Sequence, residues 1–161
     1  MGTSLVETLL AIGIGVLILL GVVLGLQQAM EKKNQSETIQ AIYLLRTNID
    51  QMYAGSPYTD LDNTIVVSAE LAPKVMIRNN SLNSAYGPVT VAAVGDTQYS
   101  ITLEGLTKAG CQQLGRISTD SWNSIKVNST EVLDSTTGQV PAADLIAACS
   151  GAKNTLEFTT P

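Results

Sequence analysis

Histidine is absent from this 161-residue chain. That absence excludes histidine-based catalytic triads, histidine metal ligands and imidazole pH switches. Aromatic residues make up 4% of the sequence, too few to build stacking platforms for nucleic-acid bases. Charged residues are also scarce, at 14% against roughly 25% in an ordinary soluble domain. Nine Lys and Arg stand against fourteen Asp and Glu, for a net charge of -5. With no basic surplus to neutralise phosphates, no nucleic-acid partner is expected. A G-x-S-x-G elbow, a P-loop and a Cys-x-x-Cys pair are all missing, so neither an enzymatic activity nor a cofactor is expected. The length fits one ordinary domain.

What the chain has in excess is apolar residues, gathered at its start. Thr8 to Leu26 (TLLAIGIGVLILLGVVLGL) carries no charge. A helix of that length covers roughly 28 Å, close to the hydrocarbon thickness of a bilayer. A cleaved signal peptide would need a basic start, a shorter apolar core and a small-residue cleavage site. No Lys or Arg precedes Lys32, and the apolar run leads directly into a polar segment, so the segment is expected to be retained. The nearest positive charges, Lys32 and Lys33, lie after it. Either a basic leader has been removed, or the rest of the chain is cytoplasmic.

Glu7 stands at the edge of this run. A carboxylate at a bilayer centre costs on the order of 2.5–3.5 kcal/mol, and less near the interface. Glu7 therefore either sits wet among the headgroups or meets a cation from another chain, for which the N-terminal ammonium of a neighbouring copy, at Met1, is the natural candidate. Gly13, Gly15, Gly21 and Gly25 interrupt the run, each weakening a helix by roughly 1 kcal/mol relative to Ala. Gly21 and Gly25 form a G-x-x-x-G spacing that permits close helix packing, though glycine is common in membrane helices in any case.

Gln27 to Tyr53 contains neither Gly nor Pro. Ile42, Leu45, Ile49 and Met52 recur at helical spacing, with Ile39 and Tyr43 extending the stripe. The breaker cluster Ala54-Gly55-Ser56-Pro57 ends the pattern. The expectation is a helix of about fifty residues, roughly 75 Å long. Residues 1–27 form its apolar half, 28–54 an amphipathic half, and 55–161 a globular head.

The head reads as α+β, an antiparallel sheet packed on the long helix. Thr64–Ser68 is expected to be a strand or buried loop, and Ser68–Ala72 a short capped helix closed by Pro73. Val89–Val94 and Gln98–Leu103 form a hairpin around Gly95-Asp96. Gly105–Leu114 reads as a helix, Ser124–Val127 as a strand, Val140–Ala148 as a helix with Pro141 in its first turn, and Thr155–Thr159 as a strand. Asp60 and Asp62 read as a solvated turn, because they lack the glycine and distant Glu of an EF-hand calcium loop. No metal site is expected. The two cysteines, Cys111 and Cys149, fit one disulfide, with two free buried thiols as the alternative. A retained apolar helix on a small sheet head favours an oxidising compartment and hence the disulfide, which in turn requires that a basic leader was removed.

The segment Ser4-Leu5-Val6-Glu7-Thr8-Leu9-Leu10 resembles the N-terminal signature of mature type IV pilins. Leu106-Thr107-Lys108-Ala109-Gly110-Cys111-Gln112-Gln113-Leu114 is similar to the first-cysteine helix of toxin-coregulated and bundle-forming pilins, and Val140–Cys149 to their second-cysteine helix. Tyr53–Leu61 and Asn83–Pro88 also resemble the bundle-forming pilin. The resemblance covers the whole chain and points to the type IVb subclass.

It implies the type IV pilin fold, with a long N-terminal helix packed on an antiparallel head with one disulfide. It also implies a major pilus subunit that is held in the inner membrane, cut by a prepilin peptidase, methylated at its N-terminus and drawn by assembly machinery into an extracellular helical homo-oligomer. Met1, Leu5, Glu7, Gly13, Gly21 and Gly25 would serve subunit assembly. The filament would attach cell to cell, for conjugation or for adhesion to a recipient or host surface, through loops such as Asn79–Ser84 and Ser129–Gly138. The head is shorter than in those relatives, as a thin conjugative pilus would suit. Minor pilins, tip adhesins and secretion pseudopilins share the same signature. The family's Glu stands at mature position five, whereas Glu7 is fifth only if processing follows Gly2. A start at Met1 leaves it two positions late.

Overall fold

The computed structural model of the chain describes residues 2–117 and 119–161. The chain divides into two compact units, Met1–Lys33 and Asn34–Pro161. Helix α1 (Gly2–Met52) supplies the first unit and the opening element of the second. No described residue from Ser4 to Lys33 is buried.

In the second unit, α1 buries Thr38, Ala41, Ile42, Leu45 and Ile49, with Tyr53 just past its end. These positions recur every three to four residues, as a stripe facing a sheet must. Two members of the expected stripe fall outside it. Tyr43 is 37% exposed, because one step from Ile42 turns a side chain by about 100°. Met52 is 51% exposed, because the helix ends there and the residue lines a surface groove beside Ser56, Pro57 and Ile65.

The segment after α1 departs most from expectation. Thr64–Ser68 is neither strand nor loop but lies in helix α2 (Asn63–Ser68). Asp62 caps it, its Oδ1 accepting from the Ile65 N–H at 2.8 Å. This local bond outweighs the strand preference of Ile65, Val66 and Val67. The helix expected over Ser68–Ala72 is absent, since α2 stops at Ser68 in a Schellman turn. The Val66 carbonyl accepts from Leu71 N–H at 3.0 Å and the Val67 carbonyl from Glu70 N–H at 3.2 Å. Glu70 takes the left-handed position of this turn, with φ of 53°. A short 3₁₀ turn (Lys74–Met76) then leads into the hairpin of β1 (Ile77–Arg78) and β2 (Ser81–Leu82). Asn79 and Asn80 form its two-residue turn, with φ of 50° and 61°.

The main sheet contains β3 (Val89–Val94), β4 (Gln98–Leu106), β5 (Ser124–Val127), β6 (Thr130–Glu131) and β7 (Asn154–Thr159) in the order β3-β4-β7-β5-β6, with every pairing antiparallel. Register aligns its inner face into apolar rows. Val91, Ile101, Phe158 and Ile125 make one row, and Val89, Leu103, Leu156 and Val127 the next. All eight side chains are buried. The outer row runs Thr90, Thr102, Glu157, Lys126, where Lys126 and Glu157 pair across strands at 3.7 Å. At the outer edge of β3, the Asn63 side chain stands in for a missing strand. Its Nδ2 donates to the Val89 carbonyl at 2.9 Å and its Oδ1 accepts from Val91 N–H at 2.6 Å.

Strand β4 runs on through Gly105 and Leu106, so the next helix, α3 (Lys108–Leu114), begins later than the Gly105 start expected for it. The ladder is irregular between Leu103 and Leu106, and Gly105 there has φ of 76°. A Cβ at Gly105 would stand 2.8 Å from the Tyr86 carbonyl oxygen, so only glycine fits the crossing. Helix α4 (Ala142–Ala148) likewise starts late, with Pro141 as its cap and not within its first turn.

Candidate functional site: an exposed apolar helix and a disulfide-pinned head

The first unit carries the assembly residues expected from sequence. Leu5, Glu7, Gly13, Gly21 and Gly25 all lie on α1, and Met1 lies outside the described residues. The helix forms because its apolar run contains no proline to interrupt the backbone ladder. Unlike Asn34–Met52, the uncharged run Thr8–Leu26 has no polar face, and the most apolar window of the helix has a mean hydropathy of 2.9 with none of it buried. Leu5 is 68% exposed and Leu17 70% exposed. Each such side chain gains about 1.5–3 kcal/mol when buried, so the helix needs either a bilayer or other helices around it. A Cβ at Gly13, Gly15, Gly21 or Gly25 would meet nothing within 4 Å, so these glycines are not required by any contact inside the chain. Gly21 and Gly25 are one turn apart on one face. Thr8 satisfies its hydroxyl internally, donating to the Ser4 carbonyl at 2.5 Å.

In the head, the two cysteines meet. Thr107 caps α3, its hydroxyl accepting from Gly110 N–H at 3.0 Å, which fixes the first turn and turns Cys111 inward. Cys149 closes α4, with its N–H donating to the Leu145 carbonyl at 2.9 Å. Both are fully buried and bonded to each other, with Cα atoms 5.9 Å apart. The helices pack closely at Gly115, where a Cβ would stand 2.7 Å from Leu145 Cδ1 and 3.1 Å from the Cys111 carbonyl oxygen. The bridge spans 38 positions, which in the chain-entropy account stabilises the fold by about 4 kcal/mol. Asn128 adds a further tie, donating to the Ala148 carbonyl at 3.0 Å and to Asn154 Oδ1 at 2.9 Å.

The two surface loops flagged in the sequence are built turns. Residues 79–84 include the β1–β2 turn and all of β2. Within 129–138, the Asp134 carboxylate accepts from Thr136 N–H at 2.8 Å, and this backbone donor holds its pKa below the usual carboxylate value.

Sequence reasoning missed the polar network that joins α1 to the sheet. Arg46 donates to the Ser121 carbonyl at 2.6 Å, lies 3.6 Å from Asp50 and stacks 4.5 Å above the Trp122 ring. Tyr99 donates to Asp50 at 2.8 Å, and Tyr53 donates to Asp60 at 3.0 Å. Burial first, and these donated bonds second, push the hydroxyls of Tyr99 and Tyr53 above their ordinary pKa. Tyr58, packed between the other two rings, is raised by burial and then by the Asp50 charge. The Arg46–Asp50 spacing of four was a readable signal; its partners on the sheet were not. Asp60 thus accepts from a tyrosine and Asp62 caps α2, and among the described residues no cluster of His, Cys, Asp and Glu is arranged to hold a metal.

Comparison with known proteins follows the same lines. The family model described as PilS N terminal matches residues 31–161. A type IVb pilin from Salmonella typhi aligns with 81% of this chain and 97% of its own, at TM-score 0.57 and 18% identity. TcpA, a type IV pilin from Vibrio cholerae El Tor biotype, aligns with 80% of this chain and 99% of its own, at TM-score 0.56 and 15% identity. A comparison with curated proteins found no match. The chain belongs to the PilS family, and its fold is that of the type IVb pilins.

Proposed function

We propose that the chain is the major structural subunit of a type IVb pilus. The observation that carries this reading is an unburied apolar helix, mean hydropathy 2.9, on a chain whose second unit has its own core. Apolar burial between neighbouring helices supplies the cohesion of the filament. Residues 1–27 serve first as an inner-membrane anchor and then as filament core. Residues 28–54 support the head, and 55–161 form the outer surface.

A prepilin peptidase and an assembly machine act on the subunit before it leaves the membrane. Glu7 acts on register, because a carboxylate left unpaired in an apolar bundle is strongly penalised. The Met1 ammonium of a neighbouring copy is its counter-charge. Leu5, Gly13, Gly21 and Gly25 set how closely the helices pack. The filament joins cells, in conjugation or in adhesion.

Electron microscopy and intact mass of material sheared from producing cells test the reading. Thin filaments made mainly of this chain are expected. The chain as a trace component of other filaments, or confined to membranes, would instead make it a minor pilin or pseudopilin. Glu7→Ala is expected to abolish filaments while leaving subunit levels in the membrane unchanged, and a normal filament yield refutes the role of Glu7.

A further inference from the structure

Beside α2 the head carries a cavity of about 550 Å³, within the range of about 300–1,000 Å³ typical of small-ligand sites. Its walls come from α2, the β1–β2 hairpin and the start of β3. No Asp, Glu, Lys or Arg lines it. Its polar groups are amides and hydroxyls, and Val67, Leu82, Pro88 and Val89 add aliphatic groups, of which Leu82 and Val89 are buried behind the surface and Pro88 is exposed.

Hydrogen bonds on both of its sides hold the cavity open. Asn63 clamps α2 to β3 with both ends of its amide, so that wall is fixed before any ligand arrives. The opposite wall is the β1–β2 hairpin, anchored by Asn83 N–H donating to the Met76 carbonyl at 2.7 Å. By contrast, Thr64, Ser68, Asn80 and Thr90 line the cavity, are exposed, and make no side-chain hydrogen bond among the described residues.

We propose that this cavity is a binding site for an uncharged oligosaccharide. The chemistry narrows the ligand class. A lining without charge gives no ion pair to a phosphate, sulfate or carboxylate, and the chain's net charge of -5 repels polyanions. Amides and hydroxyls are donor and acceptor at once, as ring hydroxyls require. Val67 and Pro88, the aliphatic lining groups that reach the surface, offer contact to the C–H face of a sugar ring. Backbone that is already fixed keeps the ordering cost of binding low. The site lies wholly in the head, so it does not depend on whether the chain polymerises.

Saturation-transfer NMR on the full chain tests the proposal. The chain is held in a phosphocholine detergent, because glycoside detergents would compete. The probes are maltotriose, cellotriose, chitotriose and lactose, with sialyllactose as the anionic comparison. Transfer to the ring protons of at least one neutral sugar is expected, with little to sialyllactose. Ser68→Arg, which fills the cavity at a helix end that tolerates a cation, is expected to abolish it. Asn80→Gly, which keeps the left-handed turn and removes the amide, is expected to weaken it about tenfold. Lys153→Ala, outside the cavity, is expected to change nothing. Unchanged Trp122 fluorescence verifies that each variant is folded. No transfer to any neutral sugar, transfer that survives Ser68→Arg, or equal transfer to sialyllactose overturns the proposal, as does binding of a Ser/Thr-rich peptide in place of every sugar.

Discussion

Replacing Glu70 with glycine should make the protein more stable. Glu70 holds the left-handed position of the Schellman turn that ends α2, with φ of 53°. Both bonds of that turn are formed, and the residues flanking it, Val66 and Leu71, are buried at 0% and 8% exposure, so the conformation cannot relax without opening the core. A side chain with a Cβ is strained there by roughly 1–2 kcal/mol. The Glu70 side chain is exposed and makes no hydrogen bond among the described residues, so its removal loses no contact of that kind. Glycine relieves the strain but returns about 0.4–1 kcal/mol through the greater freedom of the unfolded chain. The expected net gain is about 1 kcal/mol, or a rise of about 3 °C in Tm. The assay is denaturant unfolding of the full chain in detergent, followed by the fluorescence of Trp122, the one tryptophan, which packs 4.9 Å from Phe158. Glu70→Ala keeps the Cβ and should leave the midpoint nearly unmoved, with Glu70→Asn between the two. A Glu70→Gly protein no more stable than the parent would refute the reasoning, and so would an equal gain from Glu70→Ala.

Cys111→Ser with Cys149→Ser, or reduction of the parent, should lower unfolding stability by about 4 kcal/mol, read from the same denaturation curves. Asn63→Ala should cost about 2 kcal/mol, because it strips partners from the Val89 carbonyl and the Val91 N–H at the sheet edge, and faster amide exchange at Val91 would localise the loss. Alkaline pH should destabilise the head. Tyr53, Tyr58 and Tyr99 have folded pKa values raised above the ordinary 10.0. The unfolded chain therefore ionises first, so their contribution is complete below about pH 10 and declines as pH climbs above it. Tyr99→Phe should flatten that decline in unfolding midpoints measured across the range.

The long helix was legible because its signals repeat. An uncharged run, a stripe at Ile42, Leu45 and Ile49, and a Gly-Pro cluster each speak over many residues. The β3–β4 hairpin was legible from its alternation around Gly95-Asp96. Residues 61–73 were not, because α2 has six residues, too few for any periodicity, and the β-branched Ile65-Val66-Val67 argue for a strand. One aspartate decided the outcome, because the capping bond from Asp62 outweighs that strand preference. The cysteine pairing was readable as arithmetic, whereas the close packing of Gly115 against Leu145 beside it was not. The cavity beside α2 was invisible, since its lining joins residues from Asn63 to Thr90 that only the turn at Glu70 brings together.

Strand β7 lies between β4 and β5, yet it is made after both. Until Asn154–Thr159 leaves the ribosome, β4 and β5 have no neighbour along the edges they will share with it. The sheet can exist only as two fragments, β3–β4 and β5–β6, each with a raw edge open to the wrong partner. Folding of the head is therefore barred from keeping pace with synthesis. Nonsense or frameshift lesions before residue 154 remove the central strand and should therefore yield aggregates in place of smaller working heads.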